Sequence, residues 1–123
     1  MPKRILLIDD EDDLREVTAL SLQTVAGWEV SSASSGRVGM EMARAEAPDA
    51  ILLDVMMPDQ DGPSTLLKLR RDEATAHIPV IFLTAKIQPK ELERLRAIGS
   101  AGILSKPFDP LRLASQVSEL LGW

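Results

Sequence analysis

No cysteine occurs among the 123 residues of this chain, which removes disulfides, thiol catalysis and cysteine metal sites together. Tyrosine is absent too, and aromatics amount to 3%, too few for a platform on which nucleic-acid bases stack. His77 is the single histidine, so no second imidazole exists for a metal pair or a triad, and it fits a solvated loop ahead of a strand. The net charge of −5 and pI near 4.8 supply no basic surface of the kind that phosphate backbones need, which argues against nucleic acid as a direct partner. Apolar runs stay far below membrane-spanning length. The opening MPKRILLIDD has a basic pair and a short apolar run, but acidic residues follow at once, unlike a signal peptide. A cytoplasmic protein without membrane contact is expected.

The length suits one compact domain, and at this size roughly two thirds of the unfolded chain's surface can be buried without covalent staples. Hydrophobic residues at 45% and charged residues at 27% match a globular composition. Along the chain, apolar runs at Arg4–Ile8, Trp28–Ser32, Ala50–Leu53, Pro79–Leu83 and Ala101–Leu104 predict five strands. Between them lie helical spacings: Leu14, Val17, Leu22 and Val25; Gly39, Met40, Ala43 and Ala47; Leu66 and Leu69. Leu92, Leu95 and Ile98 form the fourth such face, and Leu113, Val117, Leu120 and Leu121 the fifth. Gly27, Gly62 and Gly99 fall where helices should stop or start, and Pro110 falls in an expected first helical turn. Trp28 and Trp123 are expected to cover apolar edges, and the five methionines to fill the core, apart from the backbone of Met56.

Strands alternating with helices predict a parallel sheet covered on both faces. Runs such as RILLI, AILL and VIFL, apolar on both sides, agree with that burial. The expected fold is α/β, a doubly wound five-stranded sheet whose ligands bind beyond the carboxyl ends of the strands. Asp9, Asp10 and Asp54 end two of those strands, and Thr84 and Lys106 end two more. Two unit charges about 4 Å apart interact by roughly 4 kcal/mol at an effective dielectric near 20. Three clustered carboxylates would therefore repel by several kcal/mol or take up protons, unless a cation sat among them. Lys106 offsets part of this, and a hard divalent cation held by carboxylates and waters would offset the rest. Such a set suits a transferring phosphoryl group.

Each residue has an ordinary reading as well. Asp9 and Asp10 alone could be turn residues and a helix N-cap. Glu11, Asp12 and Asp13 suit the first turn of a helix through its dipole. The DQDG at 59–62 is not a calcium loop, because the first ligand position would fall on Met57 and the twelfth on Lys68. Thr84 and Lys106 alone would be a strand-end residue and an exposed amine.

Taken in order, the LLIDDED acidic pair, the LLDVMMPDQDG segment, the LT of IFLTAK and the KPF of LSKPFDP resemble the receiver domains of two-component response regulators. The similarity runs over essentially the full length. It implies a flavodoxin-like (βα)5 fold with strand order 2-1-3-4-5, and one receiver domain over residues 1–123 with no output domain in the chain. It implies that Asp54 is the phosphoacceptor, attacking a phosphohistidine in line to form an acyl phosphate. It further implies that Asp10, Asp54 and the Met56 backbone carbonyl bind Mg²⁺ (or Mn²⁺) directly, and Asp9 through a water. Thr84 would hydrogen-bond the phosphoryl oxygens, Lys106 would pair with them, and the Lys106–Pro107 bond would be cis. The implied partners are a sensor histidine kinase or a histidine phosphotransfer protein. A downstream protein target would meet the fourth helix, fifth strand and fifth helix, around Lys90–Ile103 and Leu111–Leu121.

The implied activity is the domain's own phosphorylation and dephosphorylation, with no external substrate turned over. One departure stands out: where receivers commonly carry Tyr or Phe, three residues before the lysine, this chain has Ile103. A degenerate receiver serving only as an interaction module is the main alternative. A haloacid-dehalogenase-like phosphatase would need an acid two residues after the nucleophile, where Met56 stands. A flavodoxin-like flavin carrier would need a phosphate-binding loop after the first strand, where this chain has DDEDD.

Overall fold

The computed structural model describes residues 2–85 and 88–123. In chain order the elements are β1 (Arg4–Ile8), α1 (Asp12–Ala26), β2 (Glu29–Ala33), α2 (Gly36–Glu46) and β3 (Ala50–Asp54), followed by α3 (Gly62–Arg71), β4 (Val80–Thr84), α4 (Pro89–Ala97), β5 (Gly102–Ser105) and α5 (Leu113–Leu121). All strand pairs are parallel and the sheet order is β2-β1-β3-β4-β5, the expected doubly wound topology. Among the described residues no helix is long and apolar enough to cross a membrane.

Strand alternation divides the core in two. Leu6, Ile8, Ile51, Leu53, Val80 and Phe82 pack on one face with Ala43, Leu66, Leu69 and Leu95 of α2, α3 and α4. Ile5, Leu7, Leu52, Ile81 and Leu83 pack on the other with Leu22, Leu113, Ala114 and Val117 of α1 and α5. Every residue of β3 and β4 is buried, and each large apolar side chain so covered contributes about 1.5–3 kcal/mol before entropy is charged against it. Trp28 and Trp123 meet edge to face, ring centres 5.4 Å apart, with Lys3 over the Trp123 ring.

Several boundaries differ from the periodicity. Three strands run one residue later than the apolar runs, and β3 and β4 extend to include Asp54 and Thr84, because their ladders continue through Asp54↔Leu83 and Thr84↔Ser105. Val17 and Val25 are about half exposed, and the buried side of α1 carries Thr18 and Leu22 instead. Val17 lies roughly 140° around the helix from Leu22, too far to share its face. Leu120 is partly exposed, its side chain lying over Gly102. Pro110 stands outside α5: Asp109 captures the Leu111 amide at 2.9 Å and its carbonyl takes the Arg112 and Leu113 amides, so a turn precedes the helix. Met57 is buried, Met40 and Met42 are partly so, and Met56 is exposed. Met1 lies outside the described residues.

The helix ends follow local chemistry. Asp61 caps α3 by accepting the Ser64 amide at 2.8 Å, with Pro63 in the first turn. Gly27 ends α1 at φ 70, where L side chains are strained. Gly62 matters through contact: its amide donates to the Val55 carbonyl at 2.9 Å. A Cβ there would stand 2.5 Å from the Asp54 carbonyl oxygen and 2.9 Å from the Val55 Cα. The close approach brings α3 directly behind the end of β3. Gly62→Ala should therefore destabilise the fold by about 1–3 kcal/mol, lowering the midpoint of chemical denaturation; an unchanged midpoint would show that α3 shifts freely.

Candidate functional site

The carboxyl ends of β1, β3, β4 and β5 converge on one cluster. Asp9, just past β1, has no exposed surface; Asp54 and Thr84, the last residues of β3 and β4, are buried. Lys106 follows β5, and its amide donates to the Thr84 carbonyl at 2.9 Å, which carries the edge strand's end alongside β4. The Lys106–Pro107 peptide bond is cis. The Lys106 Nζ donates to Asp9 Oδ2 at 2.8 Å and lies 3.2 Å from Asp54 Oδ1. Its side chain is 14% exposed, so water screens this attraction less than that of a surface ion pair, against the cost of taking the charges out of water.

The remaining acceptor capacity is partly used by the backbone. Asp9 Oδ1 takes the Glu11 amide at 3.0 Å, and Asp54 Oδ1 receives the Met56 amide at 3.4 Å. Asp10 is exposed, yet oxygens from Asp9, Asp10 and Asp54 all lie within 4.8 Å of one another. Asp12 and Asp13 stand in the first turn of α1, as expected, while Glu11 precedes it as the N-cap without a side-chain hydrogen bond. His77 is exposed in the segment before β4.

Three carboxylates face one ammonium, and the imbalance shows in the titration of the cluster. Burial, followed by the charge of Asp9, raises the Asp54 carboxyl from 3.8 to about 6, and Lys106 restrains that rise. Burial alone would lower the Lys106 ammonium, but its hydrogen bond to Asp9 and the charges of Asp54 and Asp9 outweigh it, and its pKa is raised. Clustered oxygen donors, one of them open to solvent, with a residual negative charge, are what a hard divalent cation requires. Asp9, Asp10 and Asp54 fit Mg²⁺ on these grounds.

The structure brings Asp9, Asp10, Asp54 and Lys106 together, and β4 ends on buried Thr84 at the same edge of the sheet. Ile103 pairs with Phe82 in the β5–β4 ladder and packs, partly buried, against the core cluster on the α4 side. The spacing did not single out Arg15, whose side chain is 17% exposed and whose Nη1 donates to the Asp9 carbonyl at 2.8 Å. The one sequence signal was its place three residues after Asp12, an i,i+3 ion pair on α1.

Two buried acids, one exposed acid and a lysine thus stand together at the carboxyl edge of a 2-1-3-4-5 parallel sheet. The chain belongs to the response regulator receiver domain family, whose profile matches residues 5–118. It is 39% identical over 118 residues to the DNA-binding dual master transcriptional regulator RpaA of Synechocystis, covering 96% of this chain and 48% of that protein. It is 35% identical to the phosphate regulon transcriptional regulatory protein PhoB of Pseudomonas aeruginosa, covering 97% of this chain and 52% of that one. The chain therefore spans about half the length of these relatives. Among solved structures, the chemotaxis protein CheY4 of Vibrio cholerae superposes with a TM-score of 0.91 at 29% identity, covering 98% of this chain and 99% of that one. The receiver domain of sensor histidine kinase PA1611 from Pseudomonas aeruginosa superposes at 0.87 with 28% identity and full coverage of both chains; it has a magnesium ion coordinated in its active-site cleft.

The titration of Asp54 has a consequence for stability. A carboxyl whose folded pKa lies above its unfolded value costs stability when ionised; the cost is absent below the unfolded value of 3.8 and complete above about 6. In metal-free buffer Asp54→Asn should raise the thermal midpoint by a few degrees at about pH 8, with the gain shrinking as pH falls below about 6. A variant less stable than the parent at the higher pH would contradict this electrostatic account.

Proposed function

We propose that this chain is a phosphoacceptor receiver in a two-component phosphorelay, with Asp54 as the residue phosphorylated. The observation that carries the reading is the placement of Lys106 within reach of both Asp54 and Asp9, at strand ends that also present Thr84. The ionised Asp54 carboxylate attacks the phosphorus of a phosphohistidine in line; a P–O bond forms as the P–N bond breaks, and the imidazole leaves. Lys106, freed in part from Asp9, pairs with the phosphoryl oxygens, and the Thr84 hydroxyl donates to them. Asp10, Asp54 and the Met56 carbonyl would hold Mg²⁺ (or Mn²⁺) directly and Asp9 through a water. When bound, the cation neutralises charge on the transferring group and draws the Asp54 pKa back down, so that the nucleophile is ionised. Water attacking the acyl phosphate later returns Asp54 to its free form, so the domain catalyses its own modification and its reversal.

Partner identity follows from the same chemistry. Receiver domains interact with histidine kinases and downstream effectors, and here the donor is a sensor histidine kinase or a histidine phosphotransfer protein in the cytoplasm. The downstream target is assigned to the face formed by α4, β5 and α5, where Ile103 stands in place of an aromatic residue. A repacking isoleucine has less reach than a swinging ring and no hydroxyl, so the change passed to that face is smaller and apolar. Nucleic acid is not bound directly by this acidic domain.

Intact mass after incubation with acetyl phosphate tests the reading. A gain of one phosphoryl group is expected with Mg²⁺, none with chelator, and none in Asp54→Asn, while far-UV circular dichroism of the variant stays unchanged. Uptake should also fall on the acid side as Asp54 protonates, and added Mg²⁺ should move that edge to lower pH. Wild-type labelling in Asp54→Asn would remove Asp54 from the role. Failure of the folded protein to label, from acetyl phosphate and from a phosphorylated histidine kinase alike, would favour a receiver that only binds partners.

A further inference from the structure

We infer that Arg15 is a positioning residue, one that fixes the peptide plane between Asp9 and Asp10 and thereby aims the Asp10 carboxylate at the metal position. The inference rests on the reading that Asp9, Asp10 and Asp54 hold Mg²⁺.

Asp9 is tied at four points. Its amide donates to the Ala33 carbonyl at 3.1 Å; Oδ1 takes the Glu11 amide at 3.0 Å; Oδ2 takes Lys106 Nζ at 2.8 Å. These three place Asp9 itself. The fourth acts beyond it: the Asp9 carbonyl accepts Arg15 Nη1 at 2.8 Å. A peptide unit is planar and rigid, so that carbonyl and the Asp10 amide turn together. Asp9 and Asp54 are held by burial, with 0% and 4% exposure, but Asp10 is exposed. The plane leading into Asp10 therefore decides where its carboxylate points, and Arg15 holds that plane.

The guanidinium is itself braced. Its Nη2 pairs with the Asp12 carboxylate, one turn earlier on α1, and the planar fork lets one group grip both acceptors without a change of geometry. The ion pair with Asp12 accounts for a cation on this acidic turn, but not for the second bond, to the Asp9 carbonyl. The first turn of a helix favours acids, and a fixed positive charge beside a cation site repels the incoming ion. The planar shape of Arg15, held at 17% exposure, is what lets the same group reach the Asp9 carbonyl as well.

Field and positioning predict opposite signs, which makes the test decisive. Titration calorimetry with Mg²⁺ alone, on the full chain, is to compare wild type, Arg15→Ala and Arg15→Lys. Circular dichroism and metal-free thermal midpoints are to establish that each is folded. If Arg15 acts by charge only, Arg15→Ala should bind Mg²⁺ more tightly and Arg15→Lys equally. Positioning predicts that Arg15→Ala weakens Mg²⁺ by about 10- to 100-fold, the usual cost of losing a group that orients a ligand, and that Arg15→Lys is weakened less. Binding in both variants as tight as in wild type, or tighter, overturns the inference while leaving the metal site intact. A wild type that takes up no Mg²⁺ would instead overturn the metal reading, and this inference with it. Where Arg15→Ala fails to fold, Arg15→Lys decides alone.

Discussion

The Lys106 ammonium, wedged between Asp9 and Asp54, is the contact on which the site depends. Without it two carboxylates nearly removed from water would face each other with only backbone amides for company, at a cost of several kcal/mol. The contact joins residues 97 apart in sequence, so it exists only when β5, the edge strand, has docked on β4. The Lys106 amide on the Thr84 carbonyl fixes that docking at the position where it matters. Edge-strand pairing, charge neutralisation and site assembly are thus one event.

One ammonium does not balance three carboxylates, and the remainder governs the chemistry. Burial, with the charge of Asp9 behind it, lifts Asp54 to about 6, an arrangement that weakens the metal-free fold. Functional sites commonly hold such perturbed groups against the interest of stability. The close contact of Gly62 behind Asp54 serves the opposite end: it confines the loop from β3 to α3, so that the burial which perturbs Asp54 is also what holds it still.

Neighbouring chemistries are set aside by single positions. A haloacid-dehalogenase-like phosphatase would need an acid where Met56 stands, and the Met56 side chain is 62% exposed, turned out to solvent. A flavin carrier would place a phosphate against Asp9, Asp10 and Asp54, where like charge repels it. The Ile103 side chain packs, partly buried, against the core cluster on the α4 side of the sheet.

The order of elements, the parallel sheet and the identity of five site residues were legible in the chain, for a physical reason. Strands buried on both faces read as continuous apolar runs, and the residues that end them stand out as polar. Asp9, Asp54, Thr84 and Lys106 were visible at strand ends for that reason, and it was the set of them, in order, that pointed to a site. Burial around α1 was less legible, because Val17 follows Leu14 by three and Val25 follows Leu22 by three, yet Val17 and Leu22, five apart, lie on different sides of the helix. Pro110 misled because its preference for first turns is local, while Asp109 takes the next amides into a turn of its own. Sequence spacing carries the period of each element and the place where it stops. Distances between atoms on different elements are set by strand register, by helix docking and by what is left unsatisfied nearby. That Lys106 reaches Asp9 as closely as any partner, that Gly62 touches the Asp54 carbonyl, and that Arg15 grips the peptide before Asp10 are consequences of that packing, and no period in the chain records them.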